Sequence, residues 1–166
     1  MSDSGSKAST GSSSGFAVAD PEHGIRIRRV FDASRERVWA EWTTPEAFAD
    51  WFGGPDNKVP LESVSMDVRP GGAWRLTMFA EPGRRRIEWK GQYQEVNEPE
   101  RLAFTVSDQP HDERYELVIV ELRDLGEGRT EMHFEQRGFL SPEQYEYTKQ
   151  GWGTFFDRLT ERVVET

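Results

Sequence analysis

The sequence contains no cysteine. Disulfides, thiolate metal sites and cysteine nucleophiles are therefore excluded. No stretch approaches the roughly 18 apolar residues of a membrane helix. The opening MSDSGSKASTGSSSG also lacks the apolar core of a secretory signal. No membrane is expected, and the cytoplasm is the expected compartment. Positive charge is in deficit: 21 Lys and Arg stand against 30 Asp and Glu, a net charge of −9. Such a field repels phosphate backbones, so no nucleic-acid partner is expected. Histidine is scarce as well, with His23, His111 and His133 far apart. No HxxxH, HExxH or three-carboxylate spacing occurs, so neither a metal nor another cofactor is expected. No serine sits in a GxSxG elbow, and no residue is assigned a catalytic role.

What the chain does have is aromatic surface, with 6 Trp and 10 Phe among 166 residues. Large rings dominate core and pocket energetics, so this fold must bury or line them. The length fits one domain. Residues 1–22 read as a disordered Ser/Gly-rich tail that cannot offset its ordering entropy, and residues 23–166 as the domain.

Ile25 to Phe31 alternates apolar side chains with arginine and reads as a strand. Ser34 caps a short helix carrying Val38, Trp39 and Trp42. Thr44-Pro45-Glu46 starts a second, with Thr44 as cap, carrying Phe48, Trp51 and Phe52 up to Gly53-Gly54-Pro55. Six strands are then expected. They are Ser63 to Val68, the run through Trp74, Leu76 and Met78, and Ile87 to Val96 with Trp89, Gly91 and Tyr93 on one face. Next come Leu102, Phe104 and Val106, then the doubly apolar Tyr115 to Leu122, then Thr130, Met132, Phe134 and Gln136. Short connections favour an antiparallel meander. Ser141-Pro142-Glu143-Gln144 is a capping box, with Leu140 and Tyr145 as a hydrophobic staple. The helix it opens carries a stripe of Tyr145, Thr148, Trp152, Phe155, Phe156, Leu159 and Val163. Gly151 and Gly153 flank the stripe, where a missing side chain lets sheet backbone or a ligand come close.

Several segments of this series resemble the AHSA-type branch, named for activators of heat-shock-protein-ninety ATPase, of the SRPBCC (START-like, Bet v-like) superfamily. The segments are Phe31 to Trp39, Trp42-Thr43-Thr44-Pro45-Glu46 and Trp51-Phe52-Gly53-Gly54-Pro55. They continue with Arg69-Pro70-Gly71-Gly72, Gly91-Gln92-Tyr93, Glu98-Pro99-Glu100-Arg101-Leu102 and Gly151-Trp152. The resemblance implies an α+β helix-grip fold of order β-α-α-β6-α, a curved sheet of about seven strands wrapped around the C-terminal helix. It also implies a cavity between sheet and helix that relatives use for hydrophobic or amphipathic ligands, and it raises a chaperone partner.

Trp74, Leu76, Met78, Trp89, Tyr93, Phe104, Met132, Phe134, Trp152 and Phe156 are the inward candidates for lining such a cavity, or simply for filling a core. Tyr93, Gln136, Thr148 and Trp152 are candidates for the few polar groups that orient a ligand. A small hydrophobic or aromatic ligand calls for a closed cavity of roughly 300 Å³ or more. A cyclase- or hydratase-type enzyme would instead need an ionisable group inside it. Glu88, Glu95, Glu116 and Glu121 lie on strands, and solvated faces are their expected home. A protein-interaction module, whether a chaperone partner's or a homodimer's, would expose an apolar patch, for which Leu117-Val118-Ile119-Val120 is the candidate. Arg84-Arg85-Arg86 reads as solvated charge at a hairpin tip.

Overall fold

The computed structural model describes residues 24–109 and 113–164. The tail assigned to residues 1–22, together with His23 and His111, lies outside the described residues. Strand β1 (Gly24–Phe31) leads into helices α1 (Arg35–Thr43) and α2 (Pro45–Trp51). A single 3₁₀ turn (Leu61–Ser63) precedes β2 (Ser65–Met66) and β3 (Ala73–Ala80). Then follow β4 (Arg85–Asn97), β5 (Arg101–Val106), β6 (Glu116–Gly126), β7 (Arg129–Arg137) and α3 (Pro142–Val164). The seven strands form one sheet in the order β1-β7-β6-β5-β4-β3-β2, every neighbouring pair antiparallel. Strands β2 to β7 are a meander, and β1 closes onto its far end. This is the expected α+β helix-grip architecture, a curved sheet around a long C-terminal helix.

Local chemistry explains the helix starts. The Ser34 hydroxyl accepts the Arg37 N–H at 3.1 Å. Ser141 and Gln144 close the capping box reciprocally, at 2.8 and 3.2 Å. Thr44 sits at the N-cap of α2, but its side chain makes no capping bond there, so Pro45 at the first helical position carries that start. The strand expected over Ser63 to Val68 shrinks to Ser65–Met66, because the 3₁₀ turn takes its first residue and Pro70-Gly71 turns the chain just after it.

The core is aromatic and lies between sheet and α3. From the sheet come Trp74, Leu76 and Met78 on β3, Tyr93 on β4, Phe104 on β5, and Met132 and Phe134 on β7, all buried. Helix α3 sends in Tyr145, Trp152, Phe156, Leu159 and Val163, while Thr148 and Phe155 are half-buried. A Cβ built at Gly151 or Gly153 would meet nothing within 4 Å beyond its own stretch of helix, so the expected close approach of sheet backbone is not present.

Strand β6 is apolar on both faces, and both are buried. Leu117 and Ile119 join Ala103 in a small outer cluster, flanked in register by Arg137 and Glu135 of β7. The expected exposed patch over Leu117 to Val120 is therefore not present: all four side chains are buried. Outside the core, Glu41 of α1 is fully buried and accepts hydrogen bonds from Arg37 and from Arg162 at 2.6 Å, clamping α1 to α3.

Candidate functional site

The interior space lies between α1–α2 and the β2–β5 half of the sheet. Trp42 (α1), Phe48 (α2), Met66 (β2), Trp74 (β3), Tyr93 (β4) and Phe104 (β5) enclose it. No space among them is large enough to hold a water molecule. The open cavity of roughly 300 Å³ expected for a small-ligand site is thus not formed. Ring packing is the reason. Trp42 lies within 6.3 Å, centroid to centroid, of Phe48, Trp51, Phe104, Phe134, Trp152 and Phe156. The thinnest wall is Met66, half-buried on a two-residue edge strand.

No charged side chain lines this space. The lining residues with polar atoms are Trp42, Trp74 and Tyr93. Burial, reinforced by the negative charge of Asp67, pushes the Tyr93 pKa well above the ordinary phenol value. The phenol therefore stays protonated. Three other buried indoles have acceptors. Trp51 donates to the Glu41 carbonyl at 2.8 Å, Trp74 to the Thr105 carbonyl at 3.0 Å, and Trp152 to Gln136 Oε1 at 2.7 Å. Trp42 Nε1 and Trp89 Nε1 are buried without an acceptor.

A second polar cluster closes the end of the core where β6, β7 and α3 meet. Glu116, expected on a solvated face, is buried. Its Oε1 accepts Gln136 Nε2 at 3.1 Å and the Tyr145 hydroxyl at 2.8 Å, and its Oε2 accepts the Phe139 N–H at 2.8 Å. Gly138 makes room for it, since a Cβ there would lie 2.1 Å from Glu116 Oε2. Tyr145 is raised above the ordinary phenol value by burial first, then by Glu116. With both carboxylate oxygens engaged, Glu116 is a clamp for the start of α3 rather than a free base.

The outer face of the sheet carries a broad groove with about 530 Å³ of room, among Arg26, Arg28, Arg101, Arg137, Glu121, His133 and Glu135 over Ile119. Its charges are largely paired: Arg101 with Glu95 and Glu121, Arg137 with Glu135, and His133 with Glu131. Among the described residues no cluster of three metal-ligating side chains occurs.

The family model for Activator of Hsp90 ATPase homolog 1-like protein matches residues 32–163. The chain belongs to this family. A protein of Chromobacterium violaceum is similar in structure, with 25% identity and a TM-score of 0.74 over 85% of this chain and 96% of its own. The AHSA1 protein of Silicibacter pomeroyi gives 20% identity and 0.74 over 85% and 97%. A protein of Arthrobacter aurescens, solved in solution, gives 23% and 0.74 over 90% and 92%. No protein with a curated description matches the chain significantly.

Within this AHSA1-like frame, the twelve residues singled out from sequence separate. Trp74, Tyr93 and Phe104 border the gap. Leu76, Met78, Met132, Phe134 and Phe156 are buried in the same core without bordering it. Trp89 packs edge-on against Phe52, with 5.7 Å between ring centroids. Gln136 and Trp152 bond to each other, and Thr148 sits half-buried on α3. Sequence reasoning missed Trp42, Phe48 and Met66 as lining residues. The one signal for Trp42 and Phe48 was aromatic spacing on two short helices, which reads equally as packing, and Met66 on β2 carried none.

Proposed function

We propose that this protein binds a small hydrophobic or aromatic molecule in the interior between the sheet and the helices, and that Met66 and strand β2 yield to admit it. The observation that carries the reading is the aromatic lining of this part of the interior, Trp42, Phe48, Trp74, Tyr93 and Phe104, beside the half-buried Met66 of a two-residue edge strand. Aromatic faces and edges beside a two-residue edge strand offer an incoming apolar ligand contacts once that short strand shifts. Methionine, unbranched and flexible, suits a wall that must repack. The fold is of a class consistent with such a cavity. The saturated Glu116 carboxylate favours binding over acid–base turnover.

Tryptophan fluorescence titrated with neutral aromatic molecules of one to three rings, with thermal shift in parallel, tests the reading. Saturable quenching with a rise in Tm is expected, both lost in Met66→Phe, which plugs the gap from its thin wall. No response across the panel would return the interior to a packed core.

A further inference from the structure

The hairpin of β3 and β4 is basic in an acidic chain. Residues 73–92 hold Arg75, Arg84, Arg85, Arg86 and Lys90 against Glu81 and Glu88, a net charge of +3 where the whole chain carries −9. Lys58 adds a sixth cation, since its backbone bridges to Phe79 of β3. All six are exposed. Arg86 pairs with Glu88. Among the described residues, none of the other five lies within ion-pair distance of a carboxylate. Elsewhere the plentiful carboxylates are taken up: Arg29 has Asp157, Arg101 has Glu95 and Arg162 has Glu41.

The strand register sorts these cations into two groups on the outer face, opposite the buried Trp74, Leu76 and Met78. Arg75 stands beside Lys90 at one end. At the other, Phe79 lies between Lys58 and Arg86. The Arg84 guanidinium sits over the Phe79 ring, 5.5 Å from its centroid. Arg84 reaches this place with φ at 51°, a conformation that glycine or asparagine adopts more readily. Four residues of strand separate the two groups, about 13 Å. Between them stands Glu88, held by Arg86 and by the Thr77 hydroxyl at 3.0 Å.

We infer that the outer face of this hairpin docks an extended acidic segment of another protein, whose carboxylates, four residues apart, meet the two cation groups. Such a segment supplies the carboxylates that these cations lack within their own chain. Four residues of extended chain cover the same distance of about 13 Å and leave Glu88 facing an uncharged stretch. A nucleic acid is the poorer fit. It carries a charge at every nucleotide, which sets phosphates against Glu88, and beyond the hairpin it meets an acidic molecule. This surface is separate from the interior and does not depend on binding there.

The full chain is titrated by fluorescence anisotropy with three labelled probes: the peptide (Glu-Glu-Ser-Ser)₃, its glutamine counterpart (Gln-Gln-Ser-Ser)₃, and a twelve-nucleotide oligothymidylate. Backbone amides are followed by NMR in ¹⁵N-labelled protein. The acidic peptide is expected to bind at least about tenfold more tightly than either control, and to weaken as salt rises. Its shifts should centre on residues 73–92. The double variant Arg75→Glu with Lys90→Glu should lose at least about tenfold in affinity. Arg123→Glu with Lys149→Glu, an equal change of charge at exposed sites outside the hairpin, should lose less than about threefold. No binding, equal binding of the glutamine peptide, shifts centred elsewhere, or equal losses in the two double variants would overturn the inference. An oligothymidylate bound as tightly through the hairpin would also overturn it and assign the face to nucleic acid.

Discussion

Trp74 reaches across Gly91. The two are direct partners in the β3–β4 register, and the indole N–H passes over the glycine to the Thr105 carbonyl on β5, 3.0 Å away. A Cβ at position 91 would lie 1.7 Å from that carbonyl oxygen and 2.4 Å from Trp74 Nε1. Gly91 therefore lets one side chain tie three strands together beside the aromatic gap. Gly91→Ala should cost about 3 kcal/mol or more, since backbone must move and a buried donor loses its acceptor. Urea unfolding measures this; a loss under about 1 kcal/mol would mean that β4 and β5 separate freely there.

Gly151 and Gly153 present the opposite case. Both lie inside α3, and a Cβ on either meets nothing within 4 Å. Alanine should therefore stabilise the protein by about 0.5–1 kcal/mol at each position through helix propensity alone. A Tm that falls in either variant would show that the helix needs to bend or open at this point.

Glu41 is buried at 0% exposed and holds both Arg37 and Arg162. Neutralising it weakens two charge-assisted hydrogen bonds at once, although Arg162 keeps Asp50, so Glu41→Gln should cost about 2 kcal/mol. Asp67, paired with Arg69 at the surface, is the control: Asp67→Asn should cost less than about 1 kcal/mol. Equal losses in the two variants would contradict the burial argument.

Tyr93 and Tyr145 both hold their protons more tightly when folded than the ordinary value of 10.0. Burial is the main cause at each, followed by Asp67 at Tyr93 and by Glu116 at Tyr145. The folded state therefore binds more protons than the unfolded state at alkaline pH. The associated stability is complete below about pH 10 and is lost as pH rises through the folded-state values. Urea midpoints should be insensitive to these groups below about pH 10 and should fall above it, less steeply in Tyr145→Phe. Phenolate absorbance should show both groups ionising with unfolding; two free titrations near the ordinary value would refute the assignment.

The inward face of β6 was not legible in the sequence, because the strand reads apolar on both faces and its Glu116 is buried. The order of elements was legible, and so was the inward face of every strand and helix with a clear alternation or stripe. Those signals are local: the Ser141–Gln144 box, the alternation through Trp74, Leu76 and Met78, and the stripe from Tyr145 to Val163 each report on a few turns or pleats of one segment. Tertiary structure alone decided which polar atoms were satisfied. Glu41 meets Arg162 from 121 residues away, and Glu116 meets Tyr145 from 29, so no local pattern marked either carboxylate as buried. It also decided how tightly the interior around Trp42 is packed, because six rings arrive there from different elements. A run of letters records that a tryptophan turns inward; only the packed molecule leaves its N–H without a partner.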